Sequence, residues 1–325
     1  MRKILKQLFP VSSCRRTDSS ERLLASMGSV ERLENRMMMA GDVSVSVTGN
    51  DLLITGTNAA NDIEIYESNA GIVIQGHDDT TVTLDGVTAD SHTLNLSVHD
   101  ITLQMKKGDD VINIHDMNIG GQLIAKIGQG GDDIWISNTN VVQNIFVTEG
   151  TGSFSDAAYI DNVSVGGTLK VDLKEAPKHF LRSDQIVVTN STVGTKLRLQ
   201  GGIGSHLVDV HNVDVAGVTQ VYTGDGDDTV FMSDSDFGGA VSVSTGGKHD
   251  YVQIGGAITA DDVFTVFTGD GEDTVIADFA GSAFTDVVKL NGGNGDAFID
   301  RLEMLSDPSD SPAGLIATGF EDILL

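Results

Sequence analysis

The sequence predicts an all-β chain folded as a right-handed parallel β-helix, with about 22–23 residues and three short strands per coil. Three observations carry this. A template of apolar positions recurs along most of the chain. A column of Asn and Asp recurs in step with it. The composition, with 38 Gly, 4 Pro and 5% aromatics, suits many tight turns around a thin aliphatic core.

The template is clearest in Gly224 to Val243 (GDGDDTVFMSDSDFGGAVSV). Counting Asp228 as zero, apolar residues stand at +2 (Val230), +4 (Met232), +9 (Phe237), +13 (Val241) and +15 (Val243). The alternation at +2/+4 and again at +13/+15 is that of a strand with one buried face. The zero positions are Asp110, Asp132, Asp156, Asp184, His206, Asp228, Asp250, Asp273 and Asp296. Their spacings are 22, 24, 28, 22, 22, 22, 23 and 23, so an insertion is expected at Lys174 to Arg182. At +6 stand Asp116, Asn138, Asn162, Asn190, Asn212 and Asp234, residues that tolerate left-handed backbone and can bond to one another when stacked.

Residues 1–40 read as a leader or sorting segment. They carry eight Lys/Arg against four Asp/Glu, whereas the remainder carries 12 against 43. Val11-Ser12-Ser13-Cys14 has the shape of a lipobox, although the apolar run before it is short for a secretory signal. Residues 41–91 are expected to form an N-terminal cap and imperfect coils. Val43, Val45 and Val47 pair with Leu52 and Ile54 as a hairpin. Asn61 starts an early coil with Ile63, Ile65 and Ile74, and Val82 and Leu84 lie on a short strand. His92 opens a shortened coil through Leu94, Leu96, Ile101 and Met105. The regular body runs over 92–305, and 306–325 is expected to be a C-terminal cap.

The net charge of −27 excludes phosphate backbones as natural partners, so nucleic acid is not expected. No apolar run is long enough to cross a membrane as a helix. Cys14 is the only cysteine, so no disulfide joins two parts of this chain. His115, His206, His211 and His249 have no zinc-like spacing.

Two kinds of chemistry remain. The Gly-rich turns can direct carbonyls inward while nearby carboxylates complete an oxygen cage for a hard cation. The candidate ligands are Asp132, Asp225, Asp227, Asp228, Asp270, Glu272 and Asp273. In the alternative, Gly and Asp simply make the turn. The second chemistry would sit on the outward face of the first strand, where Asp161, Asp209 and His211 could approach one another beside Trp135 and Tyr159.

Two resemblances add to this. Gly128-x-Gly130-x-Asp132-x-Ile134, Gly224-x-Gly226-x-Asp228-x-Val230 and Gly269-x-Gly271-x-Asp273-x-Val275 resemble the core of the hemolysin-type calcium repeat. That family implies calcium between turns of adjacent coils, although its coils are shorter and His206 and Lys248-His249 interrupt the pattern here. Val30 to Ala40 (VERLENRMMMA) resembles the LEPR-XLL-type motif near the start of exported planctomycete proteins. Leu33, Glu34, Arg36, Met38 and Met39 match it, and Asn35 stands where Pro or Asp is usual. It implies export or surface sorting. The resulting expectation is a non-enzymatic bacterial solenoid, extracellular or on the cell surface, with a structural or adhesive role. Calcium is its expected cofactor, and glycans or other surface proteins are its expected partners. The alternative is a carbohydrate-active β-helix enzyme, a polysaccharide lyase or glycoside hydrolase.

Overall fold

The computed structural model describes residues 41–150, 154–174, 183–293, 300–305, 312 and 314–324. The leader with Cys14 and the 30–40 motif, most of the expected insertion, and Asp296 lie outside the described residues.

The chain from 41 onward is all-β, and its parallel strands stack as a β-solenoid of about nine coils. The first regular coil shows the plan. Strand β9 (Val111–His115) leads through a sharp corner to β10 (Asn118–Ile119), and a Gly120-Gly121 turn leads to β11 (Leu123–Gly128). Eight strands, β1 to β8, precede it in the chain. Each strand of a coil pairs in parallel with its counterpart one coil away, so three sheets run along the axis.

The register follows the apolar template. Ile112, Ile134, Ala158, Ile186, Val208, Val230 and Val252 stack in the first sheet. Leu123, Ile145, Leu169, Leu197, Thr219, Val241 and Phe264 stack in the third. The short middle sheet aligns Ile119, Val141, Val165, Val193, Val215 and Phe237. These side chains meet in one continuous core. Each fully buried Val, Leu or Ile contributes about 1.5–3 kcal/mol, so the core is built from many equal increments.

The +6 column makes the corner between the first two strands. Asp116, Asn138, Asn162, Asn190, Asn212 and Asp234 all adopt positive φ between 49° and 55°. Gly256 takes the next place with φ 70°. Asn162 Nδ2 donates to Asn138 Oδ1 at 2.8 Å, and Asn212 Nδ2 to Asn190 Oδ1 at 2.8 Å. Between them the ladder steps sideways, because Asn190 Nδ2 donates to Asp161 Oδ1 at 2.7 Å.

The N-terminal region departs from the expectation of early coils. β1 (Asp42–Thr48) and β2 (Asp51–Thr55) form the expected antiparallel hairpin. β3 (Asp62–Ser68) joins the first sheet beside β9, but β4 (Gly71–Gly76) returns antiparallel to β3, with Ile65 opposite Ile74. A connection of two residues can join only antiparallel strands, so Ile74 cannot reach a third side. β5 (Thr81–Leu84) and β6 (Val87–Ala89) form another hairpin, and β7 (Ser91–Leu94) runs antiparallel to β4. His92 therefore opens no coil; its ring Nε2 lies 3.0 Å from the Val82 carbonyl. Parallel stacking resumes at β8 (Ile101–Gln104), which pairs with β2 and β11. Antiparallel strands thus close this end of the stack, and the outermost ones are three and four residues long.

At the other end the register corrects one zero position. Thr274 pairs with Arg301, so Asp300, not Asp296, stands in line with Asp273. Spacing alone had favoured Asp296 because the true step is 27 residues. Ile316–Thr318 and Asp322–Leu324 then add in parallel to the third and first sheets at this end of the stack.

Candidate metal centre: a buried carboxylate column

Strand alternation puts residues zero, +2 and +4 on one face. The apolar +2 and +4 residues point inward, so the zero-position residue does too. Asp110, Asp132, Asp184 and Asp273 are fully buried, and Asp156, His206, Asp228, Asp250 and Asp300 nearly so. Stacked once per coil, they make a polar column inside an aliphatic core.

Local backbone explains half of each carboxylate. The parallel ladder of the first strand starts at +1, as where the Asp133 N–H bonds the Asp110 carbonyl. The zero residue's own N–H is left without a main-chain acceptor, and a buried N–H needs one. The next coil supplies it. Asn61 N–H donates to Asp110 Oδ1 at 2.8 Å, Asp110 N–H to Asp132 Oδ1 at 2.9 Å, and Asp132 N–H to Asp156 Oδ1 at 2.7 Å. The series continues through Asp228, Asp250, Asp273 and Asp300 to Glu321.

The other oxygen is a different matter. Oδ2 of Asp110, Asp132 and Asp228 is buried with no hydrogen-bond partner. An unmatched buried carboxylate oxygen is costly, and the group responds by holding a proton or by taking a cation. Burial pushes Asp110 up to about 8 and Asp132 to about 7, against the opposing pull of the N–H bond and with neighbouring aspartates adding to the rise. Asp250 rises to about 8 and Asp300 to about 6 for the same leading reason.

His206 is the one imidazole in the column. Its Nδ1 lies 3.0 Å from Asp228 Oδ1 and its Nε2 3.3 Å from Asp184 Oδ2. Nε2 is also 3.1 Å from the Gly202 N–H, a contact that suits a neutral ring. Burial alone would lower the His206 pKa, but the hydrogen bonds and charges of Asp184 and Asp228 outweigh it and raise it to about 9. The cationic ring, bonded to both carboxylates, is the state the site favours. Protonated, the ring puts a positive charge into the column between two carboxylates.

The seven sequence candidates divide. Asp132, Asp228 and Asp273 belong to the column. Asp225, Asp227, Asp270 and Glu272 are exposed on the turns. Asp227 Oδ1 accepts the His249 N–H at 3.3 Å. Asp270 lies close enough to Asp273, and Glu272 to Asp300, to raise those groups' pKa. Among the described residues, two triads bring ligand atoms within 4.8 Å of one another: Asp51, His99 and Asp100, and Glu149, Asp156 and Asp184. The second combines two column members with a glutamate from the neighbouring third strand, a set that periodicity could not show because Glu149 lies outside the template.

The glycines of the turn have a packing role. A side chain at Gly224 would meet the Gly202 carbonyl oxygen, one at Gly246 that of Gly224, and one at Gly269 that of Gly246. Coils approach through their main chains at this corner, beside the aspartate column.

The outward face of the first strand is less convergent than the sequence suggested. Trp135 and Tyr159 stack, with ring centroids 5.3 Å apart and planes 10° apart. Asp209, however, aligns with Val187 and Phe231, while Asp161 aligns with Thr189 and then His211. A whole coil separates Asp161 from Asp209. Asp161 Oδ1 accepts from Thr189 and Asn190, and His211 Nδ1 lies 2.9 Å from Ser233 Oγ. These polar groups are engaged with their neighbours along the ladder.

No helix among the described residues is long and apolar enough to cross a membrane. Compared with known proteins, the chain matches no family model, no curated protein and no solved structure.

Proposed function

We propose that this chain is a non-enzymatic bacterial β-solenoid, exported or held at the cell surface, with a structural or adhesive role, and that calcium held along its aspartate column stiffens it. One observation carries the calcium reading. Inward-facing carboxylate oxygens at Asp110, Asp132 and Asp228 are buried with no hydrogen-bond partner. An all-oxygen donor set suits a hard cation, and calcium accepts irregular coordination more readily than magnesium. When bound, calcium would supply positive charge beside these buried carboxylates. The chain's own part is to hold each Oδ1 in place by a backbone N–H, which leaves Oδ2 as the ligand. His206 supports the same logic, because it brings a positive charge to the column between Asp184 and Asp228.

The export reading rests on the sequence resemblance of residues 30–40. The non-enzymatic reading is supported by the separation of Asp161 from Asp209 on an otherwise regular shaft. The test is thermal unfolding of the full chain with calcium, with magnesium and with chelator. A cation that binds only the folded state raises the midpoint as its concentration grows, by about 2.7 kcal/mol of stability at 100 times its Kd. A calcium-specific rise is expected. Equal midpoints in calcium and chelator would overturn the metal reading.

A further inference from the structure

The corner between the first and second strands is concave on the outside. A furrow of about 520 Å³ runs along it past four successive coils, from Asp116 to Thr192. Its walls are two columns. One is the left-handed corner column, here Asn138, Asn162 and Asn190. The other, two residues on, presents Asn118, Asn140, Ser164 and Thr192, all exposed.

The chemistry of this strip sets it apart from the rest of the molecule. In a chain of net charge −27, its lining is mainly amides and hydroxyls; Asp116 is the one carboxylate in the lining itself, while Glu67 and Asp161 are bonded to its walls through Asn118 and Asn190. A cationic partner would be better served almost anywhere else on the surface. A polyanion would meet no Lys or Arg here, and the long-range field of the protein would repel it. What the walls offer is neutral and amphoteric. Each Asn has two N–H donors and an acceptor oxygen, and the ladder uses only some of these, as where Asn162 spends one N–H on Asn138. The groups repeat once per coil, at the spacing of adjacent strands, about 4.8 Å. Repetition along a straight furrow fits an extended polymer whose units recur at a similar step and carry hydroxyls rather than charge.

The same coils carry the stacked Trp135 and Tyr159, three residues before Asn138 and Asn162. Trp135 stands outside the furrow's own lining, on the outward face of the first sheet, and is 36% exposed. An aromatic body with a polar tip beside a line of amides is the combination that meets a ring having both C–H and O–H faces.

We propose that this furrow is a binding site for a neutral linear polysaccharide, laid along the solenoid axis across the coils that contain Asn118, Asn140, Ser164 and Thr192. This deepens the adhesive reading given above and depends on it, but it does not depend on calcium.

The test is native affinity electrophoresis of the full, folded chain in gels cast with hydroxyethyl cellulose, xylan or a linear β-1,3-glucan. A polygalacturonate gel serves as the charged comparison. Retardation in at least one neutral gel is expected, with none in polygalacturonate. The double variant Asn118→Ala/Asn140→Ala and the single variant Trp135→Ala should each weaken the retardation at least tenfold, with unfolding midpoints near that of the parent. No retardation in any neutral gel, retardation in polygalacturonate alone, or retardation that survives both variants would each overturn the proposal. Because calcium is scored separately by the unfolding midpoint, loss of glycan binding and loss of the calcium effect remain distinguishable.

Discussion

His206 bonds Asp228 twice through one oxygen: its backbone N–H reaches Oδ1 at 2.7 Å and its ring Nδ1 reaches the same atom at 3.0 Å. With Asp184 on its other nitrogen, the ring ties three coils together. Removing it leaves two buried carboxylates facing an empty space. His206→Ala should therefore cost about 3–5 kcal/mol, the range for breaking a buried charge pair from one side. Denaturant unfolding in chelator measures this directly. His206→Asp should be nearly as harmful in chelator but should regain stability in calcium, because it extends the carboxylate column. A loss below 1 kcal/mol for the alanine variant would mean that the ring is neutral and weakly coupled.

In the absence of metal, the column should make the fold sensitive to alkali. His206 has a folded pKa of about 9, raised by Asp184 and Asp228 against burial. Its contribution is full below its unfolded value of about 6.5 and is lost as the pH rises through about 9. Asp110, Asp132 and Asp250 are raised to about 8, 7 and 8, chiefly by burial. They hold a proton in the fold that the unfolded chain has released by about pH 4, so their contribution also declines as pH rises towards those values. Both effects have the same sign. The midpoint in chelator should fall steadily from pH 6 to pH 9, and calcium should flatten that slope. A midpoint in chelator that rises over this range would contradict the account.

Asp132→Asn separates the two duties of a column carboxylate. The amide oxygen can still accept the Asp110 N–H, now at 2.9 Å from Oδ1, while the second oxygen becomes an NH₂ group. In chelator at pH 8 the variant should match or exceed the parent, since a buried charge has been removed. In calcium it should gain less than the parent. A parent-like calcium response would move the ion elsewhere, and the Glu149, Asp156 and Asp184 triad would be the next place to look.

Gly224→Ala tests the close approach of coils. Gly224 has φ 102°, and an added Cβ would strike the Gly202 carbonyl oxygen, which belongs to the main chain and cannot swing aside. A loss of about 2–3 kcal/mol is expected from strain of this kind. Gly281→Ala serves as the comparison, because it shares a positive φ of 77° but has open space around its Cβ position. If the two variants lose equal stability, conformation alone accounts for the effect and the contact with Gly202 does not.

Much of the fold was legible because the solenoid repeats its instructions. The +2/+4 and +13/+15 alternation located the strands of the first and third sheets, and Asn at +6 marked the left-handed corner. The N-terminal end was misread for a local reason. Ile63, Ile65 and Ile74 satisfy the apolar template, but the tight Ser68–Gly71 connection, in which Ser68 Oγ donates to the Gly71 carbonyl, turns the chain back on itself. Periodicity does not record the direction of a strand. The candidate site was half legible. Asp at position zero was plain, and the Gly-rich sequence before it marked a turn. The parity with +2 and +4 pointed inward all along, and burial followed parity rather than polarity. Glu149 carried no signal, because its place in the triad depends on the stacking of two different sheets.

The stacking of zero-position residues at steps of 22 has a consequence for how such a chain changes over generations. Between Asp184 and Asp250 the coils are blocks of equal length: the stretches opened by Asp184, His206 and Asp228 pair with their neighbours in the same strand register, and only the His206 ring sets one block apart. Deleting a whole block, or duplicating one opened by an aspartate, would rejoin every strand ladder in the same register. The length of this molecule is therefore quantised, and it can be lengthened or shortened by copying errors that would destroy an ordinary globular core.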